Sequence, residues 1–246
     1  MSLLRTLFSR RWLLATVLVL LGIGVLARLG VWQLDRLAQR REENAVLRVA
    51  LASNILELPG ASLPEDTASL KDRQVVAQGS FDFTEQVSLE VQDWQGQAGI
   101  HLLTPLVFAD GETAVLVDRG WLPDAEADSA NWAAYDEVGD VTVQGVVALT
   151  QLLTRRGTAV QPDSPQAEWY RVDVAAIQNQ LPYTLLPFYI IQAPAADGTL
   201  ALPYRALPEV DLSEGPHLSY AIQWFLFSLI LGGGYIYYVR VNGRAH

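Results

Sequence analysis

The residue in this chain most able to do chemistry is a histidine at the mouth of an apolar run. His217 lies within Gly215-Pro216-His217-Leu218-Ser219-Tyr220-Ala221-Ile222-Gln223-Trp224, and Leu218 to Val239 carries no charge over 22 residues. As a helix that run is about 33 Å long, enough to cross a hydrocarbon core of about 30 Å. Polar and ionisable groups at membrane depth are costly and tend to be functional. Helical spacing puts His217, Tyr220, Ala221 and Trp224 on one face. Tyrosine and tryptophan also line the ends of spans as an interfacial belt. A belt accounts for Tyr220 and Trp224 better than it accounts for the histidine.

A second patch belongs to the exit of the first apolar run, Gly30-Val31-Trp32-Gln33-Leu34-Asp35-Arg36. If the two runs form a hairpin, this patch stands at the depth of His217. Gly30 is small enough to let two helices approach. Trp32 offers a flat aromatic face, and Arg36 and Arg40 offer cations suited to carboxylates. The plainer reading is a belt tryptophan followed by flanking arginines. Together, an imidazole, aromatic faces and nearby arginines meet the needs of a membrane-bound haem: an axial ligand, ring contacts and propionate partners.

Elsewhere the chemistry is sparse. Arg119-Gly120-Trp121-Leu122-Pro123 follows an apolar strand. It reads equally as a strand end with a core tryptophan or as a surface for a partner or the membrane face. His101 lies in a strand-like run, where a lone histidine is more often structural. The carboxylates form no HExxH-type spacing, and there is no G-x-S-x-G elbow, Walker loop or dinucleotide motif. The expectation is a protein that is not an enzyme, although a scattered triad leaves no trace in one sequence.

These residues must be positioned by two spans and one water-facing domain. Leu13 to Val31 carries a single charge, Arg28, and no comparable apolar run lies between the two ends. Ser9-Arg10-Arg11-Trp12-Leu13-Leu14 resembles a twin-arginine export signal. The run is longer than a signal core and no small-x-small site follows it, so a retained anchor is expected. Trp12 and Trp32 bracket it like belt residues.

Charge is divided by region. Residues 42–216 hold 26 acidic against 8 basic residues, net −18, whereas the two ends hold nine Arg and one Asp. An acidic domain is a poor ligand for phosphate backbones, so nucleic acid is not an expected partner. Arg5, Arg10 and Arg11 before the first span, and Arg240 and Arg244 after the second, favour both termini in the cytoplasm and the domain outside. Arg36, Arg40 and Arg41 run against that rule. With no cysteine and Met1 as the one methionine, neither a copper site nor an iron–sulfur cluster is expected.

The expected domain layout is a cytoplasmic N-terminus over 1–11, a transmembrane helix over 12–34, an extracytoplasmic domain over 35–216, a transmembrane helix over 217–239 and a cytoplasmic C-terminus over 240–246. Asp35 to Leu58 reads as a helix continuing from the first span. Pro59-Gly60 and Pro64 then break the chain. Gln74–Phe83, Gln86–Trp94, Gly99–Phe108, Thr113–Asp118, Val141–Leu149 and Pro187–Gln192 read as strands. Ala109-Asp110-Gly111-Glu112 is a hairpin turn. Asp124–Tyr135 reads as a short helix or loop, Val172–Gln180 as a short helix, and Ala193–Pro216 as an extended connector. The fold class is α+β: N- and C-terminal transmembrane helices flanking an extracytoplasmic, mainly antiparallel β domain with a few helices, for which a small barrel is one form.

Four of these motifs, in this order, resemble the surfeit-locus protein family. They are Gly30-x-Trp32-Gln33-Leu34-x-Arg36, Gly99-Ile100-His101-Leu102-Leu103-Thr104-Pro105-Leu106, Val117-Asp118-Arg119-Gly120-Trp121-Leu122-Pro123 and His217-Leu218-x-Tyr220-Ala221-x-x-Trp224. The resemblance covers essentially the whole chain. It departs at Gly215-Pro216, where family members often carry asparagines, and at Arg40, where many carry lysine. It implies a non-enzymatic assembly factor for cytochrome c oxidase in a bacterial cytoplasmic membrane. It further implies transient binding of haem a with His217 as the iron ligand, and delivery to the oxidase catalytic subunit, with a haem a synthase as a further partner. Trp32, Tyr220 and Trp224 would contact the macrocycle, and Arg36 and Arg40 the propionates. Gly30, Gln33, Arg119, Gly120, Trp121 and Pro123 would serve as partner-facing or structural motif residues. Two rivals stand beside this reading: a scaffold for an oxidase subunit that binds no haem, and a membrane-anchored extracytoplasmic hydrolase.

Overall fold

The computed structural model describes residues 6–151 and 165–243. Arg5 and Arg244, which bear on orientation, lie outside them. The chain divides into a helical unit, which takes in residues up to Leu47 and the chain from Asp211 onward, and a β unit over Arg48–Val210.

The helical unit is built from α1 (Leu13–Ala52) and α3 (His217–Asn242), both long and apolar enough to cross a membrane. α1 continues well past its apolar part, as expected, but ends at Ala52, where the Ser53 hydroxyl donates to the Val49 carbonyl at 2.8 Å. The inward positions of α1 are Thr16, Val19, Ile23, Leu26, Gly30, Gln33, Leu37, Arg40 and Asn44. Their alternating three- and four-residue steps make a coiled-coil seam. Along it the Thr16 hydroxyl meets the Tyr235 hydroxyl at 2.6 Å, and Ile23 and Gly22 lie against Gly232 and Leu231. With little hydrophobic drive between helices in lipid, such close packing and hydroxyl bonds are what hold them together.

The β unit is one eight-stranded sheet with the order β1 (Leu56–Leu58), β2 (Gln74–Phe81), β6 (Asp140–Leu149), β8 (Thr184–Gln192), β5 (Thr113–Pro123), β4 (Gln97–Val107), β3 (Val87–Trp94) and β7 (Glu168–Trp169). A further β2–β4 pairing, Ser80 with Val107 and Phe81 with Leu106, closes β2, β6, β8, β5 and β4 into a barrel. Five of the eight pairings are antiparallel; β1–β2, β3–β7 and β5–β8 are parallel. β5 shows how the barrel is filled. Val115 and Val117 join Phe188, Ile190 and Leu106 in one core, while Ala114 and Leu116 join Leu103, Tyr189 and Ile177 in another. A strand buried on both faces reads as a continuous apolar run rather than an alternating one. The second core is covered by α2 (Val174–Gln178), whose N-terminus is capped by Asp173, and by Trp169 of β7.

β5 and β1 differ from expectation. β5 runs five residues past Asp118, because Gly120 adopts φ +117° and carries the strand through a bulge instead of ending it. Leu56–Leu58, expected at the end of a helix, is β1. The segment 124–135, expected as a short helix or loop, holds two short 3-10 helices, Asp124–Glu126 and Ser129–Tyr135.

Candidate functional site

His217 is the first residue of α3, preceded by the N-cap Pro216. Its Nδ1 lies 2.9 Å from Oε1 of Gln33, three residues beyond Gly30 on the α1 seam. The approach that permits this contact is made at Gly30. A β-carbon there would stand 2.8 Å from two ring atoms of Phe225. The imidazole is half-buried, and nothing larger than a hydrogen projects from Gly215 beside its Nε2 edge.

The structure brings only some of the expected residues to this point. Ala221 is buried in the helix pair, and His217 and Trp224 are half-buried, with Trp224 packed edge-on against Phe227 at 6.1 Å. Tyr220 sits outside the seam and is exposed. Trp32 is exposed and carries the Arg36 guanidinium over its ring at 5.6 Å, while Arg36 also donates to Gln39. Arg40 is otherwise engaged. It binds the Asp211 carboxylate at 2.9 Å and the carbonyls of Asp211 and Ser213. Arg41 makes a two-pronged pair with Glu214, and the buried Asn44 donates to the carbonyls of Leu212 and Ser213. These bonds form a polar clasp that ties the segment entering α3 to α1, immediately before His217.

The Arg119-Gly120-Trp121-Leu122-Pro123 segment lies in the β unit, with Arg119 and Trp121 inside it. Arg119 has no exposed surface, and its guanidinium stands 5.0 Å from the ring centres of both Phe81 and Phe83. It donates to Gln86 Oε1 at 3.0 Å, to Glu137 at 3.3 Å and to the Tyr135 carbonyl. Burial pushes its pKa below the ordinary value, against the pull of Glu137. Gly120 is required twice over: its φ is left-handed, and a β-carbon would stand 2.7 Å from the Tyr204 carbonyl oxygen. Trp121 stacks on Tyr204, with centroids 5.9 Å apart and planes 11° apart, and lies across Gly99. Pro123 ends β5 opposite Gly99.

A pair that single-residue reasoning passed over sits on the same two strands. His101 Nδ1 lies 2.8 and 2.9 Å from the two carboxylate oxygens of Asp118, which also accepts the Gly120 N–H at 3.0 Å. The bulge between His101 and Leu103 in the β4–β5 register is what sets these residues side by side. Their separation of 17 residues gives no signal in the sequence, since it is fixed by strand pairing. Asp118 in turn helps burial hold the Tyr189 phenol up at about 12. Among the described residues, no group of three or more His, Cys, Asp or Glu side chains converges as a metal site.

A clasped pair of bilayer-length helices with a histidine at their polar end, and a small barrel that buries an arginine, define a membrane-anchored β-domain protein. The model of the SURF1 family matches residues 20–229. The chain belongs to the SURF1 family. It is 28% identical to a SURF1-like protein of Monosiga brevicollis over 88% of its own length and 84% of the relative's. It is 26% identical to a SURF1-like protein of Rickettsia felis, over 91% and 96% respectively. It is 28% identical to surfeit locus protein 1 of the mouse over 61% of this chain and 52% of the mouse protein.

Proposed function

We propose that the protein is a non-enzymatic assembly factor for haem–copper cytochrome c oxidase, which holds haem a transiently and helps pass it to the catalytic subunit. The observation that carries the reading is the His217–Gln33 contact. It engages Nδ1 and leaves the other imidazole nitrogen, Nε2, beside the side-chain-free Gly215. Membership of the SURF1 family supports the assembly role.

The donor set fits the cofactor. A porphyrin already supplies four nitrogens to its iron, so one imidazole completes an axial site. His217 would hold the iron, and the exposed rings of Trp32 and Tyr220 with the half-buried Trp224 would contact the macrocycle. Of the two arginines, Arg36 is the better propionate partner, because Arg40 is already bound to Asp211. The bound haem would bring only its own iron and macrocycle. The chain's task is to bind, orient and release it, and a single ligand suits release. In this reading the domain lies outside the cytoplasmic membrane with both termini inside.

The test is co-expression with a haem a synthesis pathway, purification in detergent and a visible spectrum. The expected result is a Soret band in the wild type that is lost in His217→Ala. A band of unchanged position and intensity in His217→Ala overturns the ligand assignment. Intact oxidase assembly without any haem band favours a scaffold that binds no haem.

A further inference from the structure

We propose that Gln33 is a positioning residue for His217, selecting the tautomer protonated at Nδ1 and so leaving the lone pair on Nε2. This deepens the haem-binding reading and rests on it for its biological purpose, though not for its chemistry.

Gln33 stands on the seam between Gly30 and Leu37, where a heptad repeat calls for an apolar residue. A carboxamide near the membrane is costly unless paired, and its partner is His217 Nδ1 at 2.9 Å. The atom turned to the ring is Oε1, which can only accept, so the proton of that bond belongs to Nδ1. Free neutral histidine favours the other tautomer, with the proton on Nε2. In that form Nε2 has no lone pair in the ring plane to give to a metal. A metal-binding histidine has its tautomer set by what its other nitrogen binds, and an oxygen acceptor is the usual device.

The surroundings serve the same end. Gly30 lets Phe225 close on α1 one step from Gln33, which brings the two helices within reach of a 2.9 Å bond. The clasp of Arg40, Arg41 and Asn44 on residues 211–214 fixes the entry to α3. Gly215, at φ +65°, is the residue beside the free edge of the ring. A β-carbon there would stand 3.5 Å from His217 Cδ2 and 3.6 Å from Nε2, against the approach of a ligand. Gly215 thus keeps open the nitrogen that Gln33 makes available.

The experiment labels the full chain with 15N-histidine and records imidazole 15N signals in detergent micelles at about pH 9, above the ordinary imidazole pKa. The chain has three histidines, His101, His217 and His246, and the His217→Ala spectrum assigns the signal of interest. The wild type is expected to show Nδ1 protonated and Nε2 bare. Gln33→Leu is expected to move His217 to the Nε2–H form, and Gln33→Glu, which can also accept, to keep Nδ1–H. His101, held by Asp118 in the β unit, reports in each sample that the domain is folded. A wild-type His217 with its proton on Nε2 overturns the proposal. So does an unchanged tautomer in Gln33→Leu with His101 at its wild-type position. Should Gln33→Leu shift His101 as well, the wild type and Gln33→Glu decide, and loss of Nδ1–H in Gln33→Glu overturns the proposal. Haem is read separately from the Soret band. The tautomer pattern as expected with no haem retained overturns the haem-binding function and upholds the role of Gln33. Haem retained through His217 with the opposite tautomer pattern does the reverse.

Discussion

Gly30 and Phe225 are packed so closely that the phenyl ring occupies the space a side chain at position 30 would need, at 2.8 Å from the site of a β-carbon. That contact sets the separation of α1 and α3 just below the His217–Gln33 bond. Gly30→Val should therefore push the helices apart, at an overpacking cost of about 1–3 kcal/mol. Gly24 meets nothing within 4 Å, so Gly24→Val is the control expected to be neutral. Denaturation in mixed micelles, followed by helical circular dichroism, should show a lowered midpoint for Gly30→Val alone.

The buried Arg119 predicts a large loss in the β unit. Arg119→Ala leaves the Tyr135 carbonyl without its donor, leaves Gln86 Oε1 with the Thr104 hydroxyl alone, and opens a space against Phe81 and Phe83. Glu137 keeps Arg205, so the cost lies in the buried acceptor left unmet, about 1–3 kcal/mol, with the lost packing of the buried stem added to it. Arg119→Lys should not rescue it, because an ammonium cannot reproduce a planar fork that reaches Gln86, Tyr135 and Glu137 while stacked on two rings. Urea unfolding read by tryptophan fluorescence checks both variants.

Asp118 joins two features of the bulge, His101 and the Gly120 N–H. Asp118→Asn retains an oxygen for one of them, and Asp118→Ala retains none. The second should cost more than the first, with a difference of about 1–2 kcal/mol, the scale of a buried hydrogen bond left unmade. Equal midpoints for the two variants in the same urea experiment would contradict this.

What was legible followed from local signals. Two apolar runs, one uncharged and one carrying Arg28 alone, marked the helices. The Asp-Gly turn marked the β4–β5 hairpin, and a capping Asp173 stood before the short α2. The β2–β4 pairing that closes the barrel and the parallel β5–β8 pairing were not legible, because they join residues 25 and 27, and 71 to 73, positions apart with other strands between them. The Arg119-Gly120 pair looked like a strand end because a charge and a glycine usually mark one. Only the interior placement of Arg119 against Phe81 and Phe83 shows why a strand carries both. At the helix pair the sequence pointed to His217 and to Gln33 separately. Their bond depends on the register of two helices 184 residues apart in the chain.

The β4–β5 turn carries a pH dependence whose sign is fixed. Asp110 accepts the backbone N–H groups of Thr113 and Glu112 at 3.0 Å each, and these hold its pKa below the ordinary carboxylate value. A depressed carboxylate contributes stability that is present above its unfolded pKa, about 3.9, and is lost as pH falls through the lower folded value. Asp110→Asn removes the titration. Compared between pH 6 and acid, the wild type should lose more stability than Asp110→Asn, with the gap opening only below about pH 4. Midpoints of the two proteins measured in urea at each pH provide the check.

Arg36 and Arg40, although one helical turn apart, should fail in different ways. Arg36 is bound to the ring of Trp32 and to Gln39, so its charge remains available to an added carboxylate. Arg40 holds Asp211 and two backbone carbonyls, so its loss unfastens the segment leading into α3. With the haem-loaded protein, Arg36→Ala should weaken haem retention about tenfold, the scale of one charge-assisted bond at a partly exposed site, and leave the thermal midpoint of the apoprotein in place. Arg40→Ala should lower that midpoint in the absence of haem, and any loss of haem should track it. Asp211→Ala, which removes the other half of the same bond, should reproduce the Arg40→Ala behaviour and not that of Arg36→Ala. Haem loss measured by transfer to apomyoglobin, beside apoprotein melting curves, separates the two roles. If Arg36→Ala melts early or Arg40→Ala loses haem with an unchanged midpoint, the assignment of the propionate partner to Arg36 is wrong.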